Sequence, residues 1–336
     1  MDRREFGEIV GLATSGLCIE RPVSFLALFP AHSKRPLADE MPGPKVKVIG
    51  IGFAGCNMLD YVIKQGLKNV DFIAASQDPA DLEERLFPSK IVLGEDLGNP
   101  CGLGWDSELA YVYSMDSRDT IRRRLDGSDV VIILAGGGGA TATGGSPVVA
   151  QIAKELGIWT IGIVTVPFSY EYRTKRAQET ISQLESIVDM LIVIPNDALR
   201  PYRKHSIRVL DAFIQSNAIV YQAVKAFSDI FLMPRMPGMD FKDIKCLFPY
   251  SLARIGVGRA DRSPVLAVRN AFRSPLLGVM SITRAREIIC DMNLGGNTTV
   301  EEIHDAVSLL QKRGLSGILN AILTNNYYEL DADRRK

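Results

Sequence analysis

The chain carries no C-x-x-C pair, and its five cysteines, at 18, 56, 101, 246 and 290, stand far apart with no histidine beside them. That pattern excludes a disulfide framework and a structural zinc site. No apolar run reaches the roughly 18 to 20 residues that cross a bilayer, and the stretch from Val23 to Leu28 is far too short. Neither sign of charge is in excess: 39 Lys and Arg meet 39 Asp and Glu. Nothing electrostatic therefore calls for nucleic acid or a membrane surface as partner. Asp2, Glu5 and Glu8 stand where a signal peptide would want a basic start and a continuous apolar segment, so a reducing cytoplasm is the expected location and direct membrane insertion is not expected. What is present is an ordinary globular composition, 46% hydrophobic and 23% charged, long enough for two domains of roughly 100 to 200 residues each.

Residues 1–44 keep no clean period and end among Pro36, Pro42 and Pro44, which predicts an N-terminal extension. From Lys45 apolar runs at 46–51, 70–75, 129–134, 158–164 and 190–194 alternate with amphipathic segments. Continuous apolar strands between helices predict an α/β fold whose parallel sheet is covered on both faces. Residues 208–231 hold no Gly or Pro and keep helical spacing, predicting one long central helix. Beyond it, a strand near 286–292, a helix at about 299–312 and a strand at 317–324 predict a smaller α/β C-terminal domain. The expected boundaries are thus 1–44, 45–207, 208–231 and 232–330.

Two glycine-rich turns carry the chemistry. In VKVIGIGFAGCNML a strand runs into Gly50, Gly52 and Gly55 and then a helix, where bare backbone N–H groups and the helix dipole suit a phosphate. Taken alone this is a dinucleotide fingerprint, with Asp78 about 20 positions on to hold a ribose, and it admits an oxidoreductase. None of His32, His205 and His304 lies in a motif where it could serve as that enzyme's base. The second turn argues against that reading: after DVVIIL comes AGGGGATATGGSPVVAQIAKEL, with four consecutive glycines from Gly136 to Gly139. So much lost backbone entropy suits a chain lying against something large and anionic. Two such turns in one sheet can hold two ends of one phosphate chain.

That second segment resembles the GGGTGTG signature of the tubulin/FtsZ superfamily, FtsZ above all, and the resemblance runs in motif order from about residue 45 to 324. It implies GTP or GDP, with Mg2+, at the carboxyl ends of the strands. Gly52, Gly55 and Asn57 fall on the first loop, followed by Asp78; Gly102 and Gly104 on the γ-phosphate loop; Gly138, Gly139, Ala140, Thr141, Ala142, Thr143 and Gly144 on the signature. Glu171 and Asn196 match ribose and base positions, and Phe213 the aromatic that packs on the base. One of Arg173, Lys175 and Arg176 is expected to face the phosphate. GMDFKDI matches the loop that completes a neighbour's active site, which makes Asp240 and Asp243 the implied catalytic carboxylates. A head-to-tail homopolymer with weak GTPase activity follows, since a contact that does not close makes filaments.

Four departures qualify that reading. Gly238 replaces an Asn, Ala140 and Ala142 each add a Cβ to the signature, and Phe53-Ala54-Gly55-Cys56 replaces a glycine run. Ala218 stands where the family has an Asp that accepts from guanine, which predicts weaker discrimination of the base. The alternative expectation is a structural filament protein that holds nucleotide poorly or not at all. Residues 1–44 either contact the next subunit or recruit an unknown partner. The chain stops soon after its last strand, which predicts that the family's partner-recruiting C-terminal tail is lacking and that the role diverges from standard cell division.

Overall fold

The computed structural model describes residues 23–28, 43–83, 85, 87–98, 106–199, 208–232, 245, 251–260, 263–277, 285–295, 298–311 and 316–324. Ten strands form one parallel sheet: β1 (Val23–Leu28), β2 (Val46–Ile51), β3 (Asp71–Ser76), β4 (Ser89–Val92), β5 (Val130–Gly136), β6 (Trp159–Val166), β7 (Met190–Pro195), β8 (Ser251–Val257), β9 (Ala285–Gly295) and β10 (Ser316–Thr324). Their order across the sheet is β10-β9-β1-β8-β7-β6-β5-β2-β3-β4. The helices are α1 (Gly52–Lys64), α2 (Ala80–Glu83), α3 (Ser107–Asp116), α4 (Arg118–Leu125), α5 (Ala140–Glu155), α6 (Thr174–Glu185), α7 (Val209–Leu232), α8 (Pro264–Phe272) and α9 (Val300–Gln311).

The continuous apolar runs of β5 and β6 are buried along their whole length, as a strand covered on both faces requires. Alternate residues feed two cores. Val48, Ile132 and Ile161 join α1 and α7 on one face; Ile49, Ile133 and Val164 join α4, α5 and α6 on the other. A third cluster packs α8 and α9 on β9. Among the described residues no helix is long and apolar enough to cross a membrane.

Helix α7 spans 24 residues, about 36 Å at 1.5 Å per residue. Tyr221 meets Tyr61 of α1 edge-on at 6.4 Å, and Phe231 meets Trp159 at 5.6 Å. Since Trp159 opens β6, α7 runs from the carboxyl edge of the sheet to its amino edge.

The segment expected as an extension contributes a strand. Val23–Leu28 lies between β8 and β9, with Leu28 level with Val257 on one side and Asp291 on the other. The run is short and bracketed by Pro22 and Pro30, and its hydrogen-bonding partners come from the far end of the sequence, so no local pattern announces it. The sheet also continues from β7 into β8 through Met190 and Ser251, joining the two regions that sequence reading sets apart.

Candidate functional site

Two strands end in glycine turns that open helices, and the two helix starts meet. β2 passes into α1 at Ile51, which offers no side-chain cap, and Gly52 turns the chain at φ +68°. A Cβ on Gly52 would stand 2.9 Å from the Cβ of Thr141, so glycine is needed both for the left-handed backbone and for the contact between the loops. β5 passes through Gly137 and Gly138 to Gly139, which opens α5, again with no side-chain cap. Neither helix has an acidic residue in its first turn. The first N–H groups of both helices lack intrahelical carbonyls, and both positive dipole ends fall together. Such a pair of helix starts fits the phosphates of a nucleotide.

The glycines divide into two kinds. At Gly139 the nearest atom to an added Cβ is the Gly136 carbonyl oxygen at 3.7 Å, so the position is open. At Gly144 the added Cβ would be 2.3 Å from the Ser107 oxygen and 2.5 Å from the Tyr111 nitrogen. Gly144 therefore lets α3 lie on α5. Gly55 packs on the Leu134 carbonyl. The methyl that Ala142 adds to the signature is 3% exposed and belongs to the core beneath α5. Ala140 is buried too.

Side chains brace this framework. Thr141 donates its hydroxyl to Gln77 Oε1 at 2.9 Å, and Gln77 Nε2 donates to the Ala110 carbonyl on α3 at 3.2 Å. Gln77 thus ties the signature loop to the helix behind it. The Thr143 hydroxyl donates to the Gly139 carbonyl at 2.9 Å and lies 2.8 Å from that of Thr180. Of the three cationic candidates, two adjoin the loop: Arg176 donates from Nη1 to the Gly138 carbonyl at 3.5 Å, and a Cβ on Gly138 would stand 2.8 Å from that of Arg173; Lys175 is exposed at the start of α6. Cys56 sits under the first turn with its thiol pushed up to about 12, first by burial and then by Asp81, so it is not a nucleophile.

An aromatic and polar cluster forms where β7 ends and α7 begins. Phe213 meets Phe168 edge-on at 5.4 Å, and Tyr170 stacks on Phe168 at 5.3 Å. Ser216 donates its hydroxyl to Asn196 Oδ1 at 2.7 Å, both residues being buried. Glu171 Oε1 accepts the Phe168 N–H at 2.8 Å, and Asp197 accepts the N–H and hydroxyl of Ser169. Asn57 Oδ1 accepts from Arg85 Nη2 at 2.5 Å, and the same guanidinium lies 5.7 Å from the Phe53 ring. Asp78 is exposed, and its Oδ1 accepts the Ala80 N–H at the start of α2. Gly102, Gly104, Gly238, Asp240 and Asp243 lie outside the described residues. Gln77, Arg85, Thr180 and Ser216 escaped sequence reading; each acts through a partner distant in sequence, with no motif of its own.

Residues 45–203 match the Tubulin/FtsZ family, GTPase domain. The chain is 35% identical over 275 residues to the cell division protein FtsZ of Rickettsia felis, covering 80% of this chain and 61% of that protein, so it spans less than two thirds of the relative's length. The M. jannaschii FtsZ structure described as an empty dimer superposes with a TM-score of 0.73 at 28% identity, over 85% of each chain. CetZ from Methanosaeta thermophila shares the fold, with a TM-score of 0.67 at 19% identity over 84% of this chain and 83% of that one. With its motifs, its paired glycine turns and these likenesses in agreement, residues 45–203 form a Tubulin/FtsZ-family GTPase domain and the chain as a whole is similar to FtsZ.

Proposed function

We propose that the chain binds GTP across the joined starts of α1 and α5 and assembles head to tail into cytoplasmic filaments, with slow hydrolysis completed between subunits. The observation that carries this reading is the contact of Gly52 with Thr141, which brings two uncapped helix starts to one place. Residues of the α5 start hold the terminal phosphates through backbone N–H groups, Arg176 adds positive charge beside Gly138, and Phe213 with Asn196 receives the base. Asp240 and Asp243 of the next subunit orient the attacking water, so turnover waits for assembly. Mg2+, where it accompanies the nucleotide, would be held chiefly by the phosphate oxygens. The M. jannaschii FtsZ structure, a dimer, supports self-association of this fold.

The test strips bound nucleotide, then follows light scattering and phosphate release with GTP, ATP, a slowly hydrolysed GTP analogue and no nucleotide. Filaments that need GTP, with Asp243→Ala abolishing phosphate release while assembly persists, are the expected result. Assembly indifferent to nucleotide, with none bound, would overturn the reading and leave a structural filament protein.

A further inference from the structure

Strand β1 is paired with one half of the chain and tethered to the other. Val23–Leu28 runs in parallel register with β8 on one side and β9 on the other. Among the described strands it pairs with none of β2 to β7, and β8 and β9 do not pair with each other. The place between β8 and β9 is therefore a slot for one strand, and its occupant is already known: the six residues Val23–Leu28.

The tether that brings β1 there within one chain is short for its path. The strands are parallel, so Leu28 stands at the carboxyl edge of the sheet. The next described residue, Gly43, lies against Leu232 at the end of α7, at the amino edge. Five inter-strand steps separate β1 from β2, about 24 Å in all, and the length of the strand adds about 20 Å at right angles to them. Helices cover both faces of the strands between, so the way round a layer about 10 Å thick comes to about 40 Å. Residues 29–42 reach at most about 50 Å, and Pro30, Pro36 and Pro42 stiffen them. Hinge segments with so little slack favour exchange of the strand between copies.

We propose that the slot between β8 and β9 takes the Val23–Leu28 strand of a second copy of this chain, so that subunits are laced together by exchanged strands. This contact is separate from the head-to-tail one and needs no nucleotide. A strand from another copy makes the same hydrogen bonds in the same register, so only the tether and the protein concentration decide between a subunit's own strand and its neighbour's.

The register supplies the test. Ala27 lies level with Cys290 on β9, and level residues of neighbouring strands stand about 5 Å apart at Cα, within disulfide reach. Ala27→Cys is made in the full chain with Cys18, Cys101 and Cys246 replaced by serine, which leaves Cys290 and the buried Cys56 as native thiols. The nucleotide-free protein is treated with oxidised glutathione over a range of protein concentrations and run on non-reducing gels. A reducible ladder of chain-to-chain links is expected, growing with concentration and lost in Cys290→Ser. Deleting residues 33–38 leaves a reach of about 28 Å and should make the links interchain at every concentration. Inserting ten Gly and Ser residues at the same place should reduce the ladder several-fold, and guards against a deletion that fails to fold. Links within single chains alone, at every concentration and in both tether variants, would overturn the proposal. A ladder that ignores tether length or survives Cys290→Ser would overturn it too, and the absence of any link would remove β1 from the slot and the proposal with it.

Discussion

Two glycines five positions apart in the signature segment should respond to alanine in opposite ways. At Gly144 the new methyl lands on two backbone atoms of α3, at 2.3 and 2.5 Å, and on the Ala110 Cβ at 2.7 Å. Ordinary contact begins near 3.4 Å, so α3 must retreat by about an ångström. Overpacking of this kind costs about 1 to 3 kcal/mol, and backbone obstacles place it at the upper end. Better helix propensity returns about 1 kcal/mol, leaving a net loss of about 2 kcal/mol. At Gly139 the backbone has φ −84° and ψ 138°, which alanine adopts freely, and nothing lies nearer than 3.7 Å. Gly139→Ala should cost the empty protein no more than about 1 kcal/mol, the usual loss at a helix cap. Its methyl instead stands in the open space before the α5 start. A tenfold loss of affinity there lowers the stabilisation given by GTP at a hundred times the parent's Kd from about 2.7 to about 1.4 kcal/mol. Urea unfolding with and without GTP reads both quantities. If Gly144→Ala unfolds as easily as the parent, or if Gly139→Ala keeps the full stabilisation by GTP, the division into packing and cradle glycines is wrong.

Thr141→Val leaves the buried Gln77 Oε1 without its donor and should lower stability by about 1 to 3 kcal/mol; denaturant midpoints check this, and Thr141→Ser should restore it. Cys56 is buried with its thiol pushed up to about 12, so a maleimide at pH 8 should leave its tryptic peptide unmodified in the folded protein and label it in urea. Asp229, paired with Lys225, has its carboxyl pushed above the usual range, first by burial, with Lys225 opposing. A raised acid binds its proton more tightly folded than unfolded, so its contribution grows as pH falls through the folded pKa toward 3.8, the reverse of the common carboxylate case. Relative to Asp229→Asn, the parent should therefore gain stability between pH 7 and pH 4 in urea titrations, and a loss over that range would contradict the assignment.

How much was legible follows from where each signal is stored. The runs at 46–51, 129–134 and 158–164 announce β2, β5 and β6 because a strand buried on both faces needs no partner to look apolar. The absence of Gly and Pro announces α7 for an equally local reason. The glycine turns are visible as turns, yet their division is not: Gly139 and Gly144 look alike until α3 is laid across one of them. Gln77 and Ser216 are ordinary polar residues whose work is set by Thr141 and Asn196, 64 and 20 positions away. β1 was hidden because both of its neighbours are strands from the other end of the chain.

Helix α7 begins beside the proposed nucleotide site, where Ser216 holds Asn196, and ends where Phe231 leans on Trp159 at the opposite edge of the sheet. Without a glycine or proline in its 24 residues it lacks the commonest kink sites, so a displacement of one end along its axis is passed toward the other. A ligand that lifts its first turn should therefore shift its last in the same direction, and the aromatic contact around Trp159 becomes the place to look for that movement.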